Sequence, residues 1–324
     1  MATGSLLSSD VISKEIKNSY NDYVKLFVGF QATLLSNIYQ RYKSIENGHL
    51  VLFFARETQK KILRQKDYDL NSDLSFSKFW ENHEKIDYDY YSIIKISSET
   101  GLPKETTRRK ILDLMKKKIL GKQNNSTCFL PNEEYKKTYN NFIKVEMLKL
   151  ASLIHFVSKK INKNISKEKI IENLNKNFSF FWFHYLDAEM NYIKSCKSKI
   201  QDLELLLIMF QCIEFIFSKN EKNNNEYKNA TNAAFISNLN ADFNSVSATF
   251  ISDLTGIPRA TCLRKLDYLV SLKPFKKNQI SKKFFLGPDV LKNTGFSLGS
   301  QTDEAIKIFS NFYLICLKSM HFEV

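Results

Sequence analysis

Residues 96–120 of this chain, ISSETGLPKETTRRKILDLMKKKIL, are followed 155 positions later by a second version of themselves. Residues 251–275 read ISDLTGIPRATCLRKLDYLVSLKPF, and the two align without a gap. Ten positions are identical: 96, 97, 100, 101, 103, 106, 109, 110, 114 and 118 against 251, 252, 255, 256, 258, 261, 264, 265, 269 and 273. Unrelated segments of ordinary composition share roughly one or two. A chain that writes one unit twice has to fold it twice, so the repeat constrains the architecture before any element is assigned. The offset persists in the flanks as pattern. It lays Phe27-Val28 on Trp182-Phe183, Ile38 on Ile193, and the apolar run 49–55 on 204–210. Ile154, Val157 and Ile161 likewise fall on Phe309, Phe312 and Cys316. The reading is a duplication, with units at 10–160 and 165–324.

The unit is helical. Only 9 Gly and 5 Pro occur in 324 residues, fewer than the turns of a β-sandwich or a phosphate-cradling loop require. Each copy opens with a long amphipathic helix, near Val11–Ile45 and Phe178–Ile200. A second apolar helix follows near 49–65 and 203–219. Polar loops come next at Arg64–Ser75 and Lys219–Asn229. The expected fold is mostly α: two tandem helical units, each with a helix-turn-helix and a short β-hairpin, arranged as the pseudo-two-fold of a fused dimer.

Turn chemistry marks the centre of each copy. Gly101 and Gly256 supply positive φ, and Pro103 and Pro258 stand where a helix has no partner for its first N–H. Tyr91, Ile94 and Ile96, with Val246, Thr249 and Ile251, are the expected packing positions of the first helix. The second helix is expected to bury Thr107, Ile111 and Leu114, and Cys262, Leu266 and Leu269, at helical spacing. Its opposite face then presents Lys104, Glu105, Thr106, Arg108 and Arg109 in one copy, and Arg259, Ala260, Thr261, Leu263 and Arg264 in the other. Hairpins are expected at Lys122–Leu130, turning at Asn124-Asn125, and at Phe275–Leu286, turning near Asn278-Gln279. Long closing helices follow. Their apolar seams (Ile143 to Ile161, and Ile306 to Met320) are expected to pair with each other.

Charge is concentrated at the same places. The net charge is +14. Segment 104–122 holds eight basic residues against Glu105 and Asp113, and segment 259–283 holds eight against Asp267 alone. Nearly the whole excess lies there, which points to an anionic partner at two equivalent sites. Nucleic acid and an acidic membrane surface are the two candidates. No apolar run reaches the roughly 20 residues needed to cross a bilayer, and the coincidence of the charge with the turn motif makes nucleic acid the partner expected. Five scattered cysteines form no C-x-x-C pair and read as reduced thiols of a cytoplasmic protein. The five histidines show no metal-ligand spacing, and the carboxylates between Asp67 and Asp89 read as a solvated loop. No Walker, Rossmann or nucleophile-elbow signature occurs. The expectation is a non-enzyme without cofactor or metal. The aromatic run Phe178–Tyr185 reads as core rather than as a ligand pocket.

TGIPRATCLRKLDYLV followed by KKFFLGPDVL resembles the winged helix-turn-helix of bacterial regulators of the IclR family. There a G-L-P-x-x-T-x-x-R-x-L stretch precedes a wing strand ending in L-G-P. ETGLPKETTRRKILDLM fits the same pattern, although its wing ends Leu130-Pro131 without the glycine. The order of elements is also similar to the MarR family. The resemblance implies double-stranded DNA as partner and Thr106, Thr261, Arg109 and Arg264 as contacts. Adding the basic residues of the same face and wing gives the candidate set: Lys104, Thr106, Arg108, Arg109, Lys110 and Lys122, with Arg259, Thr261, Arg264, Lys265, Lys276, Lys277, Lys282 and Lys283. Leu263 in place of Arg108 implies unequal half-sites. No IclR-type effector domain follows, so small-molecule sensing does not carry over. A nucleoid-associated transcriptional regulator, with a homodimer compatible, is the leading expectation. A replication initiator of plasmid or phage type, or a protein-binding scaffold, are the alternatives.

Overall fold

The computed structural model describes residues 7–69, 72–123, 126–200, 202–223, 245–287 and 298–321. Within these the chain is mostly helical, with two small antiparallel hairpins. The first half runs α1 (Ser9–Asn18), α2 (Tyr20–Tyr42), α3 (Ile45–Lys66), a short α4 (Phe79–Glu84), α5 (Ile93–Thr100) and α6 (Lys104–Lys116). Strands β1 (Leu120–Gln123) and β2 (Ser126–Phe129) follow, then α7 (Glu133–Lys160). The second half runs α8 (Lys167–Lys176), α9 (Phe178–Lys199), α10 (Glu204–Asn223), α11 (Ala248–Thr255), α12 (Arg259–Ser271), β3 (Phe275–Lys277), β4 (Phe284–Leu286) and α13 (Leu298–His321). Helices α11 and α12 begin and end 155 residues after α5 and α6, residue for residue. None of the helices among the described residues is long and apolar enough to cross a membrane.

Several element expectations need adjustment. The single helix expected over Val11–Ile45 is two, broken at Ser19 and closed by Lys43 in the left-handed conformation at φ 53°. The segment read as a solvated acidic loop contains α4. Its carboxylates are organised: Glu81 accepts from Lys78 and Lys85, and Asp89 pairs with Lys61. Helix α10 continues to Asn223, and the rest of the Asn/Lys-rich loop, like the Asn124-Asn125 turn, lies outside the described residues. Ile94 is 62% exposed and Thr249 is also exposed, so neither packs. With α5 and α11 beginning at 93 and 248, the 3.6-residue period turns 96 and 100, and 251 and 255, inward and the residue two before 96 or 251 outward.

Packing divides the chain into two compact units that differ from the sequence halves 10–160 and 165–324. The described residues of Met1–Lys17, Glu46–Ser195 and Lys307–Val324 form one; those of Asn18–Ile45 and Cys196–Ile306 form the other. In the first unit α9 supplies Phe181, Trp182, Tyr185 and Leu186 to the core, all buried. Tyr185 and Tyr192 of α9 meet Phe312 and Phe309 of α13 at ring-centroid distances of 6.2 Å each. The aromatic run of α9 is therefore core on one face, while Phe180, Phe183 and His184 on the other face are only half-buried. Helix α7 lies along α8, and its Glu146 accepts from the Tyr185 hydroxyl of α9 at 3.5 Å. The two closing-helix seams thus find partners in α8 and α9.

In the second unit α2 packs along α10, with Phe27 edge-on to Phe210 and the Gln211 side-chain amide donating to the Ala32 carbonyl at 2.9 Å. A shift of 155 converts Gln211 to Arg56 and Ala32 to Asp187. In the first unit Arg56 does reach Asp187, at 3.1 Å. One contact is therefore made twice, and each time the second long helix of one copy receives the first long helix of the other.

Candidate nucleic-acid interface

The turn between α5 and α6 is built by side chains that recur at the same offset. Ser92 and Ser247 cap the first helix by accepting from the Lys95 and Phe250 amides at 3.2 and 3.1 Å. Each cap satisfies an N–H that the helix itself leaves unpaired. Gly101 and Gly256 close the helix at φ 70° and 74°, the region where a Cβ is penalised. Ser97 and Ser252 then donate across the turn to the carbonyls of Leu102 and Ile257, at 2.6 and 2.7 Å. Thr100 and Thr255 donate to the carbonyls of Ile96 and Ile251, both at 2.7 Å, and accept from the amides of Leu102 and Ile257. Pro103 and Pro258 precede the second helix with ψ near 140° (144° and 137°), the extended conformation of an N-cap. Thr107 and its counterpart Cys262 return a hydrogen bond to the carbonyls of Leu102 and Ile257. The turn is thus one hydrogen-bond pattern made in both halves.

Each second helix is tied to the start of a long helix, α3 or α10. In the first unit Asn47 of α3 donates to Asp113 of α6 at 2.6 Å, and Glu46 lies 3.8 Å from Lys110. In the other unit Lys265, the counterpart of Lys110, is held by Asp202 and by Glu204, the latter at 2.8 Å. Lys265 is only 5% exposed, so its place among candidate DNA contacts does not stand. Its ammonium is spent on two carboxylates that fix the helix. Lys110 is part-buried and engaged in the same way, and Lys277 pairs with Asp267 at 2.7 Å. A lysine facing an acidic neighbour on another element looks, in sequence, like any other lysine of a basic segment.

The remaining cations have a different setting. Lys104, Arg108, Arg109, Lys116, Lys118 and Lys122 in the first unit are exposed and have no ion-pair partner among the described residues. The same holds for Arg259, Arg264, Lys273, Lys276, Lys282 and Lys283 in the second, where Arg259 donates only to the Thr249 hydroxyl, at 3.0 Å. Lys116, Lys118 and Lys273 were outside the candidate set. Lys118 and Lys273 hold left-handed backbone (φ 54° and 74°) where helix passes to hairpin, and the repeat of Lys118 at 273 was the available signal. Thr106 and Thr261 are half-buried at the margin of this face.

The hairpins are alike in pairing and unequal in length. Leu120 pairs with Phe129, and Phe275 with Leu286, so the second hairpin is longer by two residues. At its base Gly287 passes so close to the Lys273 carbonyl that a Cβ would lie 3.0 Å from it. A side chain at 287 would require that carbonyl to give way by a few tenths of an ångström.

Two histidines hold the first unit's apparatus in place. His49 Nε2 donates to the carbonyl of Thr100, the last residue of α5, at 2.9 Å, and His83 Nε2 donates to Phe129 of β2 at 2.7 Å. Burial pushes both imidazoles down to about 4, so they are neutral near pH 7. Arg56 adds a third clamp, reaching Glu57 at 2.7 Å and Glu99 of α5 at 3.1 Å besides Asp187. None of these was anticipated from the sequence, because isolated polar residues carry no periodic signal.

No protein-family model, no curated protein and no solved structure matches this chain.

Proposed function

We propose that the chain binds double-stranded DNA in a sequence-specific way, as a transcriptional regulator, through two winged helix-turn-helix units carried by a fused dimer. The observation that carries this reading is the pair of exposed cationic faces, six side chains each without an ion-pair partner among the described residues, on α6 with the first hairpin and on α12 with the second. Cations left without carboxylates on a rigid support suit a row of phosphates, which supplies the missing anions. A docking scaffold for protein is less well served, since interface cores are depleted in lysine. Arg109 and Arg264 occupy equal positions on the exposed face, where a guanidinium can pair with a guanine edge in the major groove. Arg108 against Leu263 makes the two readings unequal. The contact made twice, Arg56 with Asp187 and Gln211 with Ala32, supports the fused-dimer part of the proposal.

The test is selection of duplexes from a random pool, followed by affinity measured against salt. The expected result is a site of two unequal half-sites about one helical turn apart. Arg109→Ala with Arg264→Ala is expected to abolish selectivity and leave weak, salt-sensitive binding. Binding and selectivity that survive this double substitution would refute the proposal.

A further inference from the structure

The second hairpin carries a side chain that the fold does not use. Ile280 stands at its tip and is 95% exposed, the highest value among the large apolar residues described. The backbone beneath it is fixed without its help. Asn278 accepts through its side chain from the amides of Ile280 and Ser281, at 2.8 and 3.0 Å. The Asn278 amide donates to the Lys283 carbonyl at 2.9 Å, and the Lys282 amide donates to the Asn278 carbonyl at 3.0 Å. Lys282 completes the reversal in the left-handed region, at φ 56°. A polar residue would serve this turn equally well, so nothing among the described residues calls for isoleucine there. Its β-branched side chain has few rotamers to lose on contact. Lys282 and Lys283 follow it in the loop and Lys276 lies on β3, all exposed and without a carboxylate partner among the described residues.

An apolar tip on a hairpin that carries exposed lysines matches a surface that is anionic at its rim and apolar within. In the minor groove, two rows of phosphates flank a stack of base pairs into which proteins push such side chains. Resting on the DNA-binding reading above, we infer that Ile280 is a wedge. The second wing drives it between base pairs in the minor groove, unstacking one step and bending the duplex. In the first copy the sequence between the paired strands is Asn124-Asn125, with no large apolar residue. The bend is therefore one-sided, on the half-site read by α12.

The experiment uses the full chain and a duplex selected from the random pool, labelled at its ends for energy transfer and carrying 2-aminopurine at successive steps. Wild-type protein is expected to bend the duplex and to raise 2-aminopurine fluorescence at a single step beside one half-site. Ile280→Ala is expected to lose both signals and about tenfold in affinity, with the salt slope unchanged because no charge is removed. Lys282→Ala with Lys283→Ala is expected to lower the slope by about two while the fluorescent step stays in place. If wild type binds with no unstacked step, or Ile280→Ala bends and unstacks as wild type does, the wedge is overturned and the DNA-binding proposal stands. If Ile280→Ala instead abolishes binding to anionic phosphatidylserine vesicles while the duplex signals persist, the tip serves a lipid surface and the wedge again fails. Wild type that shifts no duplex at low salt removes the DNA-binding proposal itself. Ile280 supports no packing, so an unchanged melting temperature is expected for its variant.

Discussion

Lys265 and Arg264 are neighbours in sequence with opposite fates. Arg264 is exposed and unpaired, while Lys265 is enclosed by Asp202 and Glu204. Lys265→Met would leave two carboxylates facing each other around an apolar chain. We expect a loss of about 2 kcal/mol in denaturant unfolding, below the full cost of a buried unpaired charge because both carboxylates keep some solvent. The salt slope of DNA binding should stay as in wild type. Arg264→Ala should do the reverse, sparing stability and lowering affinity. Two residues also set a pH limit. His49 and His83 have folded values near 4, below the usual 6.5, so the unfolded chain binds protons first as pH falls. Stability should hold above pH 6.5 and fall between 6.5 and 4, by up to about 3 kcal/mol for each histidine. Urea midpoints measured across that range check this, and His49→Asn with His83→Asn should flatten the profile.

At the scale of elements, the turn between the two short helices is the feature most tightly prescribed. Gly101 and Gly256 hold left-handed backbone at the same point of the repeat. Gly101→Ala or Gly256→Ala should each cost about 1 kcal/mol, since an L side chain is strained there. Calorimetry should show this loss for both, and DNA affinity should drop where the second helix is no longer held at its entry. The turn and the start of the second helix were legible in the sequence because each is set by a local cause, a glycine and a proline; the serine caps at Ser92 and Ser247 were not read there. Helix α4 was not, because its aromatic residues find their partners far along the chain. Trp80 donates to Asn140 at 2.8 Å, and Phe79 meets Phe178 at 5.4 Å. Fifteen-residue windows of propensity do not contain such contacts.

For the molecule as a whole, neither sequence half contains its own packing. Helix α9 completes the unit built on α3, and α2 completes the unit built on α10. Chains cut in the 161–166 connection should therefore fail to fold singly, each half exposing the apolar face its missing helix covers. Expressed together they should recover helical content and elute as one species. Circular dichroism and size exclusion on the separate and combined halves check this, and a folded, monomeric 1–162 fragment would contradict it.

The repeat at an offset of 155, the turn and the gathering of cations were written in the sequence alone. Repeat identity, positive φ at glycine and local charge density need no partner from elsewhere in the chain. Which lysines of the basic segments stay free, which histidines and arginine clamp the helices, and which copy's helix completes which core were decided only by the tertiary structure. Each of those depends on residues scores of positions away, and an offset of 155 registers equivalence between copies without saying which copy a helix packs upon.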